Sequence, residues 1–349
     1  MSHTAEERAA QFRALINLLH SVTPEVYNAF DITRTHYESA GTKIEVDILA
    51  PKRLKLERTK SHPVIVRIHG GFLVAGSSLF PAWFSKWILD FAEQHDAVIV
   101  SPNYRLLPEV KGRDIMHDMA NFWTWLQSDG PDCHLSSVGW SYVELNLSQI
   151  LLVGESAGGY LALQSVLSGF IRPKAMVTLY PMIDMQAPHY TKPYPKPVVG
   201  VTNFPNEAVD SFLSATLGKP AITEAHPPSR LDSAIAIVQN GRFLEVFGHE
   251  QELFVLERIE NELLPPKEAG QTLLPPLFLL HGEDDTAVPA EGTRKLVNLL
   301  KRKHPDTKLH VSIRPGDHGF DFTASTQDRW LREGLNFVID PWLGGKSRM

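Results

Sequence analysis

The chemistry this sequence could do rests on a serine, a carboxylate and a histidine that lie far apart in the chain. Gly154-Glu155-Ser156-Ala157-Gly158 sets a hydroxyl among small residues. It follows the apolar run Ile150–Val153, which reads as a buried strand, and precedes Gly159–Leu167, which reads as a helix. A Gly-x-Ser-x-Gly between strand and helix is a nucleophile elbow. Small neighbours let the two elements approach, and the serine occupies a strained turn above the positive end of the helix dipole. The five residues alone are a weak pattern that a glycine-rich loop can hold by chance.

A serine hydroxyl is a poor nucleophile at neutral pH, so it needs a base, and the base needs an orienting carboxylate. Downstream, His281-Gly282-Glu283-Asp284-Asp285 follows the apolar run Leu277–Leu280, and Gly316-Asp317-His318-Gly319-Phe320 follows the last expected strand. Asp285 is the expected carboxylate, from the local pattern His-Gly-x-x-Asp, with Asp284 and Glu283 as alternatives. An Asp after a strand also serves as a helix cap. His318 is the expected base, in a turn that Gly316 and Gly319 permit. His69 and His281 each end a strand and are read as ordering loops. No His-x-x-x-His, cysteine pair or facial-triad spacing occurs, so neither a metal nor an organic cofactor is expected. A tetrahedral oxyanion needs pre-aimed donors. The Ala157 amide is one, and the loop His69-Gly70-Gly71-Phe72 is the expected source of the rest, through Gly70, Gly71 and Phe72.

The elements that must carry these residues alternate. Lys43–Leu49, Pro63–His69, Ala97–Ser101, Lys174–Tyr180 and Lys308–Ile313 join the two apolar runs as strands. Trp83–His95, Ile115–Leu126, Glu291–Lys303 and Gln327–Val338 have helical spacing, as does Ala5–His20. Pro51–His62 is charged and reads as a hairpin or loop. Alternation of this kind predicts an α/β fold, with a mostly parallel sheet covered by helices on both faces. From Asp184 to Thr272 the alternation stops; this proline-rich stretch has candidate helices at Asn206–Leu217, Leu231–Gln239 and Glu250–Leu263. A long strandless insertion with buried-type aromatics (Phe204, Phe212, Phe243, Phe247, Phe254) predicts a lid rather than a disordered linker.

Composition narrows the class. The chain has 349 residues, 43% hydrophobic, with a net charge of −6, which points to neither a nucleic acid nor an anionic membrane as partner. A single cysteine, Cys133, allows no internal disulfide and fits a reducing compartment. No apolar run reaches the length of a membrane span, and the N-terminus lacks the basic-then-apolar order of a signal peptide. The expectation is a soluble cytoplasmic protein.

Together these residues resemble the α/β-hydrolase superfamily and, within it, the hormone-sensitive-lipase-like esterases. That family carries His-Gly-Gly-Gly before the elbow, then Tyr-Arg-Leu-x-Pro-Glu, then Gly-Asp-Ser-Ala-Gly. Tyr104-Arg105-Leu106-Leu107-Pro108-Glu109 matches the second motif without a gap, and Glu155 stands where the family often has Asp. Two positions depart from the pattern. Phe72 stands at the usual third glycine, and Asn103 replaces the usual Asp before Tyr104. The resemblance implies an α/β-hydrolase fold with a helical lid: residues 1–40 as an N-terminal helical lid segment, 41–183 and 273–349 as the core, and 184–272 as the lid insertion. It implies Gly71 and Phe72 as oxyanion donors with Ala157, and Phe72, Leu73 and Tyr160 against the substrate. Arg105 and Glu109 are read as loop braces.

The expected function is hydrolysis of a carboxylic ester with a small or medium apolar substrate, through an acyl-enzyme on Ser156. The same parts suit a thioesterase or acyltransferase serving an acyl carrier protein, or a lactone or carbon–carbon hydrolase. A non-catalytic small-molecule receptor is a further alternative, opposed by the presence of all three triad residues. The resemblance also allows a homodimer.

Overall fold

The computed structural model describes residues 4–56, 61–266 and 270–345. Eight strands, β1 (Phe30–Ser39), β2 (Thr42–Pro51), β3 (Ser61–Ile68), β4 (Val98–Pro102), β5 (Glu144–Glu155), β6 (Ala175–Leu179), β7 (Leu277–Gly282) and β8 (Leu309–Arg314), form one sheet. Their order is β1-β2-β4-β3-β5-β6-β7-β8. The β1–β2 and β2–β4 pairs are antiparallel and all others parallel. Chain order reverses at β3, whose neighbours are β4 and β5. The ends of β3 and β5 therefore border a crevice of the kind in which open α/β sheets place their sites.

The helices are α1 (Ala5–His20), α2 (Lys86–Gln94), α3 (Gly112–Leu126), α4 (Gly130–Ser137), α5 (Ala157–Leu167) and α6 (Pro188–Thr191), then α7 (Asn206–Thr216), α8 (Leu231–Gln239), α9 (Phe243–Phe247), α10 (Val255–Glu260), α11 (Glu291–Lys303) and α12 (Arg329–Leu343). Successive strand residues point to opposite faces, so each central strand feeds two cores. Val64, Val66 and Leu152 join α3 and α5 on one face; Ile65, Leu151 and Val153 join α2 and α12 on the other.

Several elements differ from the sequence reading. Residues 30–39 belong to the sheet as β1, so the helical part of the N-terminal segment ends before them. β1 is an edge strand in which Phe30, Tyr37 and Ser39 are the buried residues, and it lacks the apolar alternation that marks a strand. It turns into β2 at Ala40-Gly41, both with positive φ. The single helix expected at Glu250–Leu263 is a 3-10 turn at Gln251–Leu253 followed by the short α10. α4, α6 and α9 were not anticipated. The expected loop Pro51–His62 contains a 3-10 turn at Lys52–Leu56 and the start of β3, while its residues 57–60 lie outside the described residues. Among the described residues, no helix is long and apolar enough to cross a membrane.

The 184–272 stretch has no sheet strand among its described residues. It does contain a tight antiparallel bridge between Val198 and Val201, turning at Val199-Gly200 with positive φ at both. α1 docks on this stretch: Gln11 Oε1 accepts from the Thr202 amide and hydroxyl at 3.0 and 2.9 Å, and Phe12 meets Phe204 edge-on at 5.9 Å.

Candidate active site

β5 delivers Ser156 into the crevice with φ +56° and ψ −118°, a conformation that a residue with a side chain adopts only when its surroundings force it. Those surroundings are backbone. A Cβ at Gly158 would lie 2.0 Å from the Ile68 carbonyl oxygen, and one at Gly154 would lie 2.4 Å from the Gly158 oxygen. Glycine at both positions lets α5 press against the ends of β3 and β5. The Ser156 amide donates to Leu179 at 2.9 Å, and its carbonyl accepts from Met182 at 3.1 Å, which ties the elbow to the end of β6.

Asp285 lies in the loop after β7 and is buried. Its Oδ1 accepts from the Ala287 and Val288 amides at 2.9 and 2.7 Å, leaving Oδ2 to accept from His318 Nδ1 at 2.8 Å. His281 Nε2 lies 3.4 Å from the same Oδ2 and bonds Val288 O at 2.8 Å, while its Nδ1 meets Thr293 Oγ1 at 2.8 Å. Burial alone would raise the Asp285 pKa, but His318 and His281 outweigh it and hold the carboxyl well below its ordinary range. Burial likewise opposes charge on His318, and the adjacent Asp285 outweighs it, so the imidazole pKa is raised.

The two alternatives to Asp285 are placed elsewhere: Asp284 accepts from the Gly316 amide at 3.2 Å and Glu283 pairs with Arg294 at 2.6 Å. Ser156 Oγ and His318 Nε2 form no hydrogen bond among the described residues; such contacts commonly tighten only with substrate in place. His69 and His281 are both fully buried in loop-ordering bonds, His69 to the Gly70 carbonyl at 2.8 Å.

Gly70 faces Ser156, since a Cβ built on it would lie 2.9 Å from Ser156 Cβ and 3.6 Å from Oγ. The next residues turn tightly, the Val74 and Ala75 amides both donating to Gly71 O at 3.0 and 2.9 Å. Gly71, Phe72 and Leu73 all have positive φ, at +112°, +55° and +62°. Phe72 thus holds the left-handed conformation that a glycine would take without cost, and its ring is buried in the α3/α5 core. Trp83 backs the loop, its ring 3.1 Å from the Cβ position of Gly71. Leu73 is fully buried with its carbonyl bonded to Leu107 N at 2.8 Å, and Tyr160 is buried against Phe247 of α9 at 5.8 Å. Both are buried in the core, and Tyr160 meets the insertion there.

Asn103 answers its departure from the family pattern. Its Oδ1 accepts from the Ser78 amide at 2.7 Å and its Nδ2 donates to Glu224 at 3.2 Å; an Asp could not make the second bond. Beside it, Gly76 and Ala225 exchange backbone bonds at 2.8 Å, so the insertion grips the loop that carries Gly70–Phe72. Arg105 pairs with Asp118 at 2.7 Å and Glu109 with Arg230 of the insertion, so both act as braces. Sequence reasoning missed Arg67, Ser85, Tyr180 and Asp321, which gather beneath the site. An arginine inside the apolar run of β3 was the one available signal. Among the described residues, no group of three His, Cys, Asp or Glu is placed to hold a metal ion.

A family model described as the alpha/beta hydrolase fold matches residues 65–240. A probable carboxylesterase of Phoma sp. is 32% identical over 302 residues, covering 84% of this chain and 91% of the relative. A non-reducing polyketide synthase of Penicillium brasilianum is 25% identical over 349 residues, covering 85% of this chain and 13% of the synthase. The solved esterase LipW of Mycobacterium marinum superposes with a TM-score of 0.59 at 17% identity, covering 98% of this chain and 92% of that one. The chain belongs to the α/β-hydrolase family, among the hormone-sensitive-lipase-like esterases, and is a carboxylesterase-like hydrolase.

Proposed function

We propose that the protein cleaves carboxylic esters of small or medium apolar substrates through an acyl-enzyme on Ser156. The observation that carries the reading is the Asp285–His318 pair, at 2.8 Å, with the other oxygen of Asp285 held by two amides. That pairing puts a proton on His318 Nδ1 and leaves Nε2 free to act as base. Ser156 Oγ attacks the carbonyl carbon as Nε2 takes its proton. The Gly71, Phe72 and Ala157 amides stabilise the oxyanion, a role supported by their lack of an internal acceptor among the described residues. The alcohol leaves with the proton from Nε2. Water then attacks the acyl carbon and gives a proton to the same nitrogen, which passes it to the departing Ser156 Oγ as the carboxylic acid is released. α1 and the insertion from 184 to 272 form the lid over this site, a division supported by their mutual contacts at Thr202 and Phe204.

Labelling by a fluorophosphonate probe tests the reading. Wild type reacts and Ser156→Ala does not; a folded wild type that stays unlabelled would favour a receptor and end the enzyme reading. The similarity to the polyketide synthase favours a second reading, in which the acyl group arrives as a thioester on an acyl carrier and a thiol leaves instead of an alcohol. A series of p-nitrophenyl esters run beside acyl-thioesters separates the two, and turnover confined to thioesters would replace the first reading by the second. Gel filtration with light scattering decides whether the chain forms a homodimer.

A further inference from the structure

On the α2/α12 face, beneath the site, lies a chain of buried polar groups that the reaction above does not use. Arg67 on β3 is fully buried, donates to the Ser78 and Trp83 carbonyls at 3.0 and 2.6 Å, and lies 4.2 Å from the Phe84 ring centre. Its charge is met by Glu155, the residue before Ser156. Ser85, just before α2, sets its hydroxyl 3.4 Å from Glu155 Oε1 and 2.7 Å from Asp321 Oδ2. Asp321 is fully buried in the loop of His318, and its Oδ2 also accepts from Trp87 Nε1 at 2.8 Å. Tyr180, at the end of β6, is buried, lays its ring against the His318 imidazole with centres 4.3 Å apart, and sets its hydroxyl in the field of Asp321 without a hydrogen-bond partner among the described residues.

A single hydroxyl proton cannot serve two carboxylates. Ser85 can donate to Glu155 or to Asp321, and the other acid must then bring a proton or leave acceptor facing acceptor in a dry site. The cluster also sets one guanidinium against two carboxyl groups, and a buried carboxylate without a cation is strongly disfavoured. Glu155 rests on Arg67, so the proton belongs to Asp321. Burial pushes both acids up, Glu155 against the direct pull of Arg67 and Asp321 against only the neutral donors Trp87 and Ser85. The other titratable groups facing the cluster are Tyr27 and His69 beside Arg67, Asp47 near Tyr27, and Asp285 and Asp317 around His318.

We propose that Asp321 and Tyr180 are positioning residues for His318, with Asp321 neutral and donating through Ser85 to the Glu155–Arg67 pair, so that Asp285 is the one buried anion acting on the imidazole. This rests on the reading of His318 as the base. A neutral Asp321, held by Ser85 and Trp87, fixes the loop that carries His318 without adding a second charge that would keep the base protonated.

Two measurements on the full chain test this. The infrared band of a protonated carboxyl is present in wild type at neutral pH and absent in Asp321→Asn. In the pH profile of kcat/KM for a p-nitrophenyl ester, Asp321→Asn leaves the midpoint of the acid limb where it was, because one neutral group replaces another. Glu155→Gln frees Asp321 to ionise opposite Arg67 and moves that midpoint upward; the double variant brings it back. Tyr180→Phe lowers kcat with KM unchanged. A carboxyl band that survives in Asp321→Asn, or a midpoint that falls in that variant, would overturn the proposal. If Glu155→Gln fails to fold, the two Asp321→Asn results decide. Should Ser156→Ala retain hydrolysis, the active-site reading fails while the infrared result still stands or falls alone.

Discussion

Replacing Asp285 by Asn should remove activity through the tautomer of His318 rather than through the fold. Asp285 Oδ1 already accepts two amides, at 2.9 and 2.7 Å. In Asp285→Asn that atom must remain the carbonyl oxygen, which turns the new NH2 group toward His318 Nδ1. Two N–H groups cannot face each other, so the imidazole moves its proton to Nε2 and can no longer accept one from Ser156. A wrong-tautomer base in a Ser-His-Asp site costs about 10⁴-fold in kcat, or ~5 kcal/mol of barrier. The fold loses a charge-assisted hydrogen bond, worth about 1.5–3 kcal/mol, and survives at 25 °C. Because the Asp285 pKa is held below its ordinary value, the stability it adds is full above about pH 4 and is lost as pH falls further. Steady-state hydrolysis of a p-nitrophenyl ester and thermal unfolding from pH 3 to 8 measure both effects. Asp284→Asn is the control, with activity within about threefold of wild type, since among the described residues the Asp284 side chain accepts only from the Gly316 amide. Asp285→Asn retaining activity within about tenfold of wild type, or a large loss in the control instead, would refute the reasoning.

Other substitutions probe the remaining parts. Gly70→Ala drives a methyl to 2.9 Å from Ser156 Cβ and the Glu155 oxygen, and should lower kcat/KM by about 10²-fold or more with a folded circular-dichroism spectrum. Asn103→Asp replaces the donor to Glu224 by a second negative charge, and should destabilise the protein by about 1–3 kcal/mol in urea titration. The loss should shrink in Asn103→Asp with Glu224→Gln. In wild type kcat/KM should rise with pH through a midpoint above 6.5, because Asp285 raises the pKa of His318 and the base works deprotonated; a midpoint at or below 6.5 contradicts that electrostatic picture.

Much of the site is readable from the chain because its parts are local. The elbow needs glycine at 154 and 158 for contacts that lie within a few residues of Ser156, and a strand-turn-helix reading already contains them. The parallel strands are buried on both faces, so they stand out as apolar runs. β1 was missed because an edge strand with a solvated face carries no such run. The 198–201 turn was missed because Val-Gly is not the usual residue pair for it. Leu73 and Tyr160 are named against substrate by resemblance alone; the structure shows both buried, as their apolar character would place them in any α/β core.

The sequence by itself determined the order of serine, acid and histidine along the chain, the turn that strains Ser156, and the glycine that opens space in front of it. Each follows from residue type and neighbours. Only the tertiary structure decided which of three adjacent acids faces His318, because that depends on a loop whose amides happen to fix one oxygen of Asp285. It alone joined Arg67, Glu155, Ser85, Asp321 and Tyr180, which come from five separate segments. Burial sets whether such groups carry charge, and burial is a property of the packed sheet and helices, not of any one stretch of chain.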